Sequence, residues 1–234
     1  MIYVISDLHG YPLEKLKQLL EKADFGADDF LYILGDVVDR NGDGGVGVLK
    51  WLLTQKKVDL LLGNHEAMLL ACSFLFDEVT ETSLGNLSVE QFGVLDTYIR
   101  NGGDVTINAL KERDRETQAD IFAYLLERPL YEAITVGDRD YILVHSGFDN
   151  FRKNRKISDY SPNELLWARP QKDTVYFDDI HTVFGHTPTA EIDETFNGKV
   201  YRTPTWTCID CGVTAGNEPI LLRLDDYREF KLNE

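Results

Sequence analysis

Six side chains of the kinds that bind divalent metal ions lie in five short segments of the chain. They are Asp7 and His9 in ISDLHG, Asp36 in LGDVVDR, Asn64 in LLGNHE, His145 in VHSG and His186 in VFGHTPT. Carboxylate, amide and imidazole ligands without a thiolate suit Mn²⁺, Fe²⁺ or Zn²⁺ better than a structural zinc site. Six such ligands, one of them able to bridge, are enough for two ions about 3.5–4 Å apart. Buried together without cations, the same groups would be unpaired charges, which are costly.

These polar residues follow predicted strands. The first part of the chain alternates strands at Ile2–Ser6, Phe30–Leu34 and Val58–Leu62 with helices that begin at Pro12, at Val46 and at about Glu66. The second helix is predicted to end at Thr54 and the third at Phe76. Strands that alternate with helices form parallel sheets, and ligands bind at the carboxyl ends of such strands. The sequence therefore predicts that the six side chains meet at one sheet edge.

The rest of the chain has a different pattern. Residues 77–128 are polar and helical, with a capping box at Ser88 and a stop at Pro129, and we interpret them as a helical insertion. Further strands are predicted at Tyr131–Val136, Asp140–His145, Thr182–Phe184, Trp206–Ile209, Ile220–Leu224 and Glu229–Leu232, several close enough for antiparallel pairing. The predicted fold class is α/β: a sandwich of mixed sheets in a single domain, residues 1–234.

Composition excludes several classes of partner. The net charge is −16, from 24 Lys and Arg against 40 Asp and Glu, and so acidic a surface repels nucleic-acid backbones and anionic lipid. The three cysteines are too few and too clustered for a disulfide framework, and no apolar run is long enough to span a membrane. The sequence predicts a soluble, cytoplasmic protein and leaves its oligomeric state open.

The five motifs, in this order, resemble those of the calcineurin-like metallophosphoesterases, specifically the PPP-type serine/threonine protein phosphatases in their compact bacterial form. The resemblance implies a four-layer α/β/β/α sandwich with a dinuclear metal centre, most readily of Mn²⁺, with Fe or Zn as alternatives. Asp7, His9 and Asp36 would hold one ion, and Asp36, Asn64, His145 and His186 the other. Ser6 and Asn41 stand where the family usually has glycine, but neither change removes a ligand.

The resemblance also implies a mechanism. Two divalent cations would lower the pKa of a bridging water, and the hydroxide would attack phosphoserine or phosphothreonine in proteins. Arg40 and Arg169, together with Asn64, would bind the phosphate, because a guanidinium can form paired hydrogen bonds to its oxygens. His65 would protonate the leaving alkoxide, and Asp39 would hold its tautomer.

Two other functions stay open: a diadenosine tetraphosphate or similar small-nucleotide hydrolase with the same site, and a catalytically inactive binding scaffold. Glu66 after Asn64-His65 favours the protein phosphatases slightly. The segment 42–47 matches G-x-G-x-x-G but does not follow its strand directly, so a flexible rim loop is expected there instead of a dinucleotide site. Cys208 and Cys211 are expected to pack in the core, and His181 lies outside the motifs.

Overall fold

Two five-stranded mixed sheets form the centre of the computed structural model, which describes residues 1–77 and 88–233. The first sheet has the order β10-β9-β1-β2-β3 and the second the order β4-β5-β6-β8-β7. The strands of the first are β1 (Ile2–Ile5), β2 (Phe30–Ile33), β3 (Val58–Leu60), β9 (Leu221–Arg223) and β10 (Glu229–Phe230). Those of the second are β4 (Tyr131–Val136), β5 (Arg139–Val144), β6 (Ile180–Phe184), β7 (Tyr201–Arg202) and β8 (Trp206–Cys208). The predicted α/β sandwich is confirmed.

Eight α-helices accompany the sheets in the described ranges. They are α1 (Leu13–Lys22), α2 (Val46–Leu52), α3 (Asn64–Ala71), α4 (Val89–Arg100), α5 (Asp104–Lys111), α6 (Arg115–Leu126), α7 (Pro162–Leu166) and α8 (Thr189–Ile192). Helix α3 begins two residues before the predicted start, and a 3₁₀ turn at Ser73–Phe76 replaces its predicted last part. This earlier start places Asn64 and His65 in the first turn of the helix.

Three apolar clusters, separated by the two sheets, give the structure four layers. In β1, Tyr3 and Ile5 pack against the helices, whereas Val4 faces the second sheet. Such a strand is buried on both faces, which explains its uninterrupted apolar sequence. The outer face of the second sheet is covered by loops and the short helices, with Phe148 and Tyr176 among the residues packed on it.

The predicted helical insertion contains α4, α5 and α6; its residues 78–87 lie outside the part of the chain that the structure describes. A capping box at Ser88 opens α4, as predicted: the Ser88 hydroxyl accepts from the Gln91 amide at 3.1 Å. The three helices add Tyr98, Leu110 and Ile121 to the apolar cluster formed by the first sheet and its helices. The insertion therefore shares the main core.

Several of the later strands pair in antiparallel fashion, as predicted: β4 with β5 and β9 with β10. Within the described residues, β5, β6 and β8 are parallel to one another, and β7 pairs with β8 in antiparallel fashion. Strand β9 also pairs with β1, so β9 and β10 extend the first sheet, which the sequence analysis did not predict. Strand β7 was not predicted, because two residues carry no periodic signal. Among the described residues, no helix is both long and apolar enough to cross a membrane.

Candidate metal centre and phosphoester site

The five motifs meet at one edge of the two sheets, around a cavity of about 150 Å³. Strands β1, β2, β3, β5 and β6 all end there, and the six predicted ligand residues are all buried. Four of them fall in two groups whose donor atoms all lie within 4.8 Å of one another: Asp36 with His145 and His186, and His9 with Asp36 and the predicted acid His65. Asn64 Oδ1 lies 2.8 Å from His145 Nε2 and 2.9 Å from His186 Nδ1. Asp7 is in neither group, and its carboxylate accepts the backbone amide of His186 at 2.9 Å. Asp36 belongs to both groups, as the predicted bridging ligand should. The ligand roles themselves stay predictions.

Close contact between the loops brings these residues together. The amide of Asp7 donates to Gly35 O (3.1 Å) and that of His9 to Asp36 O (2.9 Å), so the loops after β1 and β2 run side by side. A Cβ atom at Gly185 would lie 2.0 Å from an Asp7 carboxylate oxygen, and one at Gly63 2.3 Å from Asp36 Oδ1. Only glycine before these ligands allows so close an approach.

The backbone of the site adopts conformations that side-chain-bearing residues rarely take. Nine non-glycine residues of the described chain have positive φ, and six of them are predicted site residues: Asp7, His9, Asp36, Asp39, Arg40 and His186. Each such residue costs on the order of 1 kcal/mol or more and persists only where its surroundings fix it. The fold therefore maintains local strain to aim these side chains at the cavity.

Glu66 anchors the loop after β2, a role that the sequence did not reveal. Its side chain is fully buried and accepts four backbone N–H groups. Oε2 accepts from Asp36 (2.8 Å) and Gly63 (3.0 Å), and Oε1 from Val37 (2.8 Å) and Val38 (3.2 Å). Glu66 thus ties the start of α3 to the loop that carries Asp36, Asp39 and Arg40. A Glu two residues after the Asn was the available signal, because a carboxylate at this place in a helix's first turn can accept the N–H of the residue that precedes the helix, here Gly63.

His145 and His186 each place a ring nitrogen within 4.8 Å of a carboxylate oxygen of Asp36. His145 Nδ1 donates to Leu34 O at 2.7 Å, which leaves Nε2 without a proton, yet Nε2 lies 2.8 Å from Asn64 Oδ1 and 3.4 Å from Asp36 Oδ1. Burial lowers the pKa of His145 to about 3 and that of His186 to about 2, so neither ring is protonated near neutral pH. His186 Nε2 is buried without a hydrogen-bond partner. Lone pairs that face one another across so short a distance repel unless a cation lies between them. The residues therefore fit the metal ions that the resemblance implies.

Buried carboxylates crowd the same space. Burial, then the charges of Glu66 and Asp7, raise the pKa of Asp36 well above its ordinary value. Burial and the charge of Asp210 do the same for the pKa of Asp7. Asp210, which the sequence analysis did not single out, lines the cavity, and burial raises its pKa to about 6. Bound cations would offset this concentration of negative charge.

His65, Asp39 and Arg40 form one hydrogen-bonded unit beside the ligands. His65 Nδ1 donates to Asp39 Oδ2 at 2.6 Å, and Arg40 Nη2 donates to His65 Nε2 at 3.1 Å. Asp39 and His65 are buried, whereas Arg40 is exposed and lines the cavity. Two residues of the insertion complete the unit: the hydroxyls of Tyr98 and Thr106 lie 2.6 and 2.7 Å from Asp39 Oδ1. No motif pointed to either of them.

Arg169 reaches the rim of the same cavity, where its Nη1 atom pairs with Glu191 Oε2 at 3.0 Å. Both side chains are more than half exposed, so the pair is weak and the guanidinium can exchange partners. Next to it, Trp167 lies between the cavity and a second, larger groove of about 470 Å³. We call this the apolar groove; it lies between α3, α4 and α7 and includes Met68, Val94 and Leu166.

Two further expectations from the sequence, for the cysteine pair and for the glycine segment, have opposite outcomes. Cys208 and Cys211 are buried and unpaired, as expected for core packing, and burial raises the pKa of both thiols. The glycine segment 42–47 is closely packed instead of forming a flexible rim: a Cβ atom at Gly44 would lie 2.5 Å from Thr106 Oγ1. Its backbone supports Asp39, whose amide donates to Gly44 O at 3.3 Å.

The sequence model of the calcineurin-like phosphoesterases matches residues 1–215. With the sandwich fold and the site geometry, this match shows that the chain belongs to the calcineurin-like phosphoesterase family.

Two kinds of relative are found within that family. Serine/threonine-protein phosphatase 2 of Escherichia coli (strain K12) is 27% identical over 214 residues, which cover 86% of this chain and 85% of that protein. The symmetrical bis(5'-nucleosyl)-tetraphosphatase of Buchnera aphidicola subsp. Schizaphis graminum is 42% identical, but only over 72 residues. These residues make up 30% of this chain, and the chain spans only 26% of that relative's length.

Among solved structures, one assigned provisionally as a diadenosine tetraphosphatase aligns over 100% of this chain and 94% of its own, with a TM-score of 0.63 and 17% identity. A protein serine/threonine phosphatase from Saccharomyces cerevisiae aligns over 100% and 80%, with a TM-score of 0.60 and 17% identity. At this identity the likeness concerns the fold alone.

Proposed function

We propose that this protein is a metal-dependent phosphomonoesterase that removes phosphate from phosphoserine and phosphothreonine in proteins. The observation that carries the proposal is that metal-suited donors of His9, Asp36, His145 and His186 lie together at one sheet edge, directly beside the His65–Asp39–Arg40 unit. The two divalent ions, most readily Mn²⁺, would activate a water molecule and neutralise charge on the phosphoryl oxygens when bound.

The protein's own residues have separate tasks in this scheme. Arg40 and Arg169, together with Asn64, bind phosphoryl oxygens. The metal ions would be held by the six predicted ligands: Asp7, His9, Asp36, Asn64, His145 and His186. His65 donates a proton from Nε2 to the leaving alkoxide, while Asp39 accepts from Nδ1 and stabilises the charged ring. Because Arg40 Nη2 now donates to that same Nε2 atom, the guanidinium must move onto the phosphate before Nε2 can carry the proton.

The charge of the apolar groove supports a phosphoprotein as the substrate. A dinucleoside tetraphosphate carries several negative charges along its polyphosphate chain, and these require cationic partners. Among the described residues, no Lys or Arg lines the groove, and Glu90 lies within it. Its volume and its apolar side chains suit the uncharged residues that flank a phosphorylated serine. Serine/threonine-protein phosphatase 2 of Escherichia coli, whose match covers 86% of this chain, supports the same choice.

The alternative is a diadenosine tetraphosphate hydrolase. It is favoured by the higher identity of the shorter match and by Trp167, which is 44% exposed at the mouth of the groove and could stack on a base. An inactive scaffold, the third alternative, would have no chemical need for Asp39, His65 and Arg40 in this arrangement.

The experiment compares turnover of a phosphoserine peptide, diadenosine tetraphosphate and p-nitrophenyl phosphate with added Mn²⁺. We expect the peptide to have the highest kcat/KM. Asp36→Asn should abolish turnover and lower the metal content, whereas His65→Asn should keep the metal and slow esters with poor leaving groups most. His181→Asn, a change of the same kind outside the cavity, is the control. Tight saturation by the tetraphosphate with weak peptide activity would favour the alternative, and metal loss in His65→Asn would show that the roles are misassigned.

A further inference from the structure

The Asp39 carboxylate is held by more than its histidine. Its side chain is fully buried and its φ is +78°, so both its charge and its backbone need compensation. Oδ2 accepts from His65 Nδ1 at 2.6 Å. Oδ1 faces two hydroxyls, those of Tyr98 (2.6 Å) and Thr106 (2.7 Å). Both hydroxyls come from the helical insertion, 59 and 67 residues further along the chain.

Each hydroxyl is constrained to act as a donor to this carboxylate. Burial and the Asp39 charge raise the pKa of Tyr98 far above its ordinary value, so the phenol keeps its proton. The Thr106 oxygen accepts from the Asp39 amide at 2.9 Å and lies 2.9 Å from Gly44 O. A hydroxyl with one proton and two acceptors favours the charged acceptor, here Asp39.

The corner between α4 and α5 is shaped around this contact. A Cβ atom at Gly103 would lie 2.4 Å from the Tyr98 ring, so the ring packs directly on the bare backbone. The same corner holds Arg40, whose amide donates to Gly102 O at 3.0 Å. Arg40 Nε also donates to Asn101 O at 3.4 Å. One corner of the insertion therefore fixes both neighbours of His65.

We propose that Tyr98 and Thr106 are positioning residues for proton donation by His65, and that the insertion is the platform that aligns the acid. This inference rests on the proposed function. The two hydroxyls fix the rotation of the Asp39 carboxylate, and that carboxylate fixes the ring of His65. Without them Oδ1 would lose its donors and Asp39 could turn away from Nδ1, which would misalign Nε2 with the leaving oxygen.

The test separates proton donation from general damage. A phosphoserine peptide releases an alkoxide that must be protonated, whereas p-nitrophenyl phosphate releases a weakly basic phenolate that needs little protonation. With Mn²⁺ present, Tyr98→Phe and Thr106→Val should each lower kcat for the peptide about tenfold, a part of the full effect of an acid. Their kcat for p-nitrophenyl phosphate should stay within about twofold of wild type, because the acid is not needed there.

Two controls match these changes. Thr106→Ser keeps the hydroxyl and should restore the wild-type ratio between the two substrates. Tyr124→Phe makes the same change at a half-buried tyrosine on α6 whose hydroxyl is buried and makes no hydrogen bond to Asp39, and it should also leave the ratio unchanged.

The inference is overturned if Tyr98→Phe and Thr106→Val lower kcat equally for the two substrates, or lower it for neither. Retained activity on p-nitrophenyl phosphate with normal metal content shows that a variant is folded. If wild type hydrolyses neither ester, the proposed function fails and this inference with it; if wild type hydrolyses both but the ratio does not move, the inference alone fails.

Discussion

Replacing Glu66 with Gln tests whether the loop after β2 is held by this carboxylate. The two oxygens of Glu66 accept four backbone N–H groups, two on each oxygen. A Gln side chain has nearly the same shape but only one oxygen, so in either orientation two N–H groups face an NH₂ group. The substitution thus removes acceptors without opening a cavity.

The expected loss follows from these contacts. A buried N–H group without an acceptor costs about 1–3 kcal/mol, so two would cost about 2–6 kcal/mol. Removal of a buried charge that repels Asp36 partly offsets this loss. We therefore expect the free energy of unfolding to fall by about 3 kcal/mol, a large part of the roughly 5–15 kcal/mol typical of a domain.

Urea denaturation of the Mn²⁺-loaded protein, followed by tryptophan fluorescence, measures this loss. Glu21→Gln, the same change at an exposed position of α1, is the matched control and should change stability by less than about 0.5 kcal/mol. The affinity for Mn²⁺ should fall in Glu66→Gln because Asp36 lies on the loosened loop. A variant as stable as the control, with unchanged Mn²⁺ affinity, would refute the role assigned to Glu66.

Three further predictions concern the surroundings of the site. Glu191→Gln should release Arg169 from its ion pair, so the KM for phosphopeptide should fall while kcat does not rise. An unchanged KM would show that Arg169 does not bind the phosphate. Gly44 has a φ of +62°, and a Cβ atom there would meet the backbone of Thr106. Gly44→Ala should therefore lower the free energy of unfolding, measured by urea denaturation, by about 2 kcal/mol. An unchanged free energy of unfolding would mean that the glycine segment is loosely packed. Burial lowers the pKa of His181 from 6.5 to about 4. Between these two pH values the imidazole is protonated in the unfolded chain but not in the folded protein. The free energy of unfolding should therefore fall as the pH drops from 6.5 towards 4. His181→Asn should flatten that part of the stability curve, and a curve parallel to wild type would contradict the shift.

Much of the site could be predicted because its signals are local. The predicted metal ligands follow apolar runs of strand length, and three of these runs are followed by helical patterns. Strands that alternate with helices are parallel, so this pattern alone places Asp7, Asp36 and Asn64 at one edge of a sheet. The edge observed in the structure is the one predicted. Strands β9 and β10 were predicted as strands but not as part of the first sheet, because a short apolar run does not specify its partner.

The amino-acid sequence alone determined the order of the elements, the kinds of donor atoms and the place where they gather, since these depend on spacing along a few residues. Only the tertiary structure decided what holds the donors in position. Glu66 acts through four backbone amides, and Tyr98 and Thr106 contact Asp39 from 59 and 67 residues further along the chain. Such contacts leave no periodic trace, because a hydrogen bond depends on where two distant segments meet in space and not on either segment's own pattern.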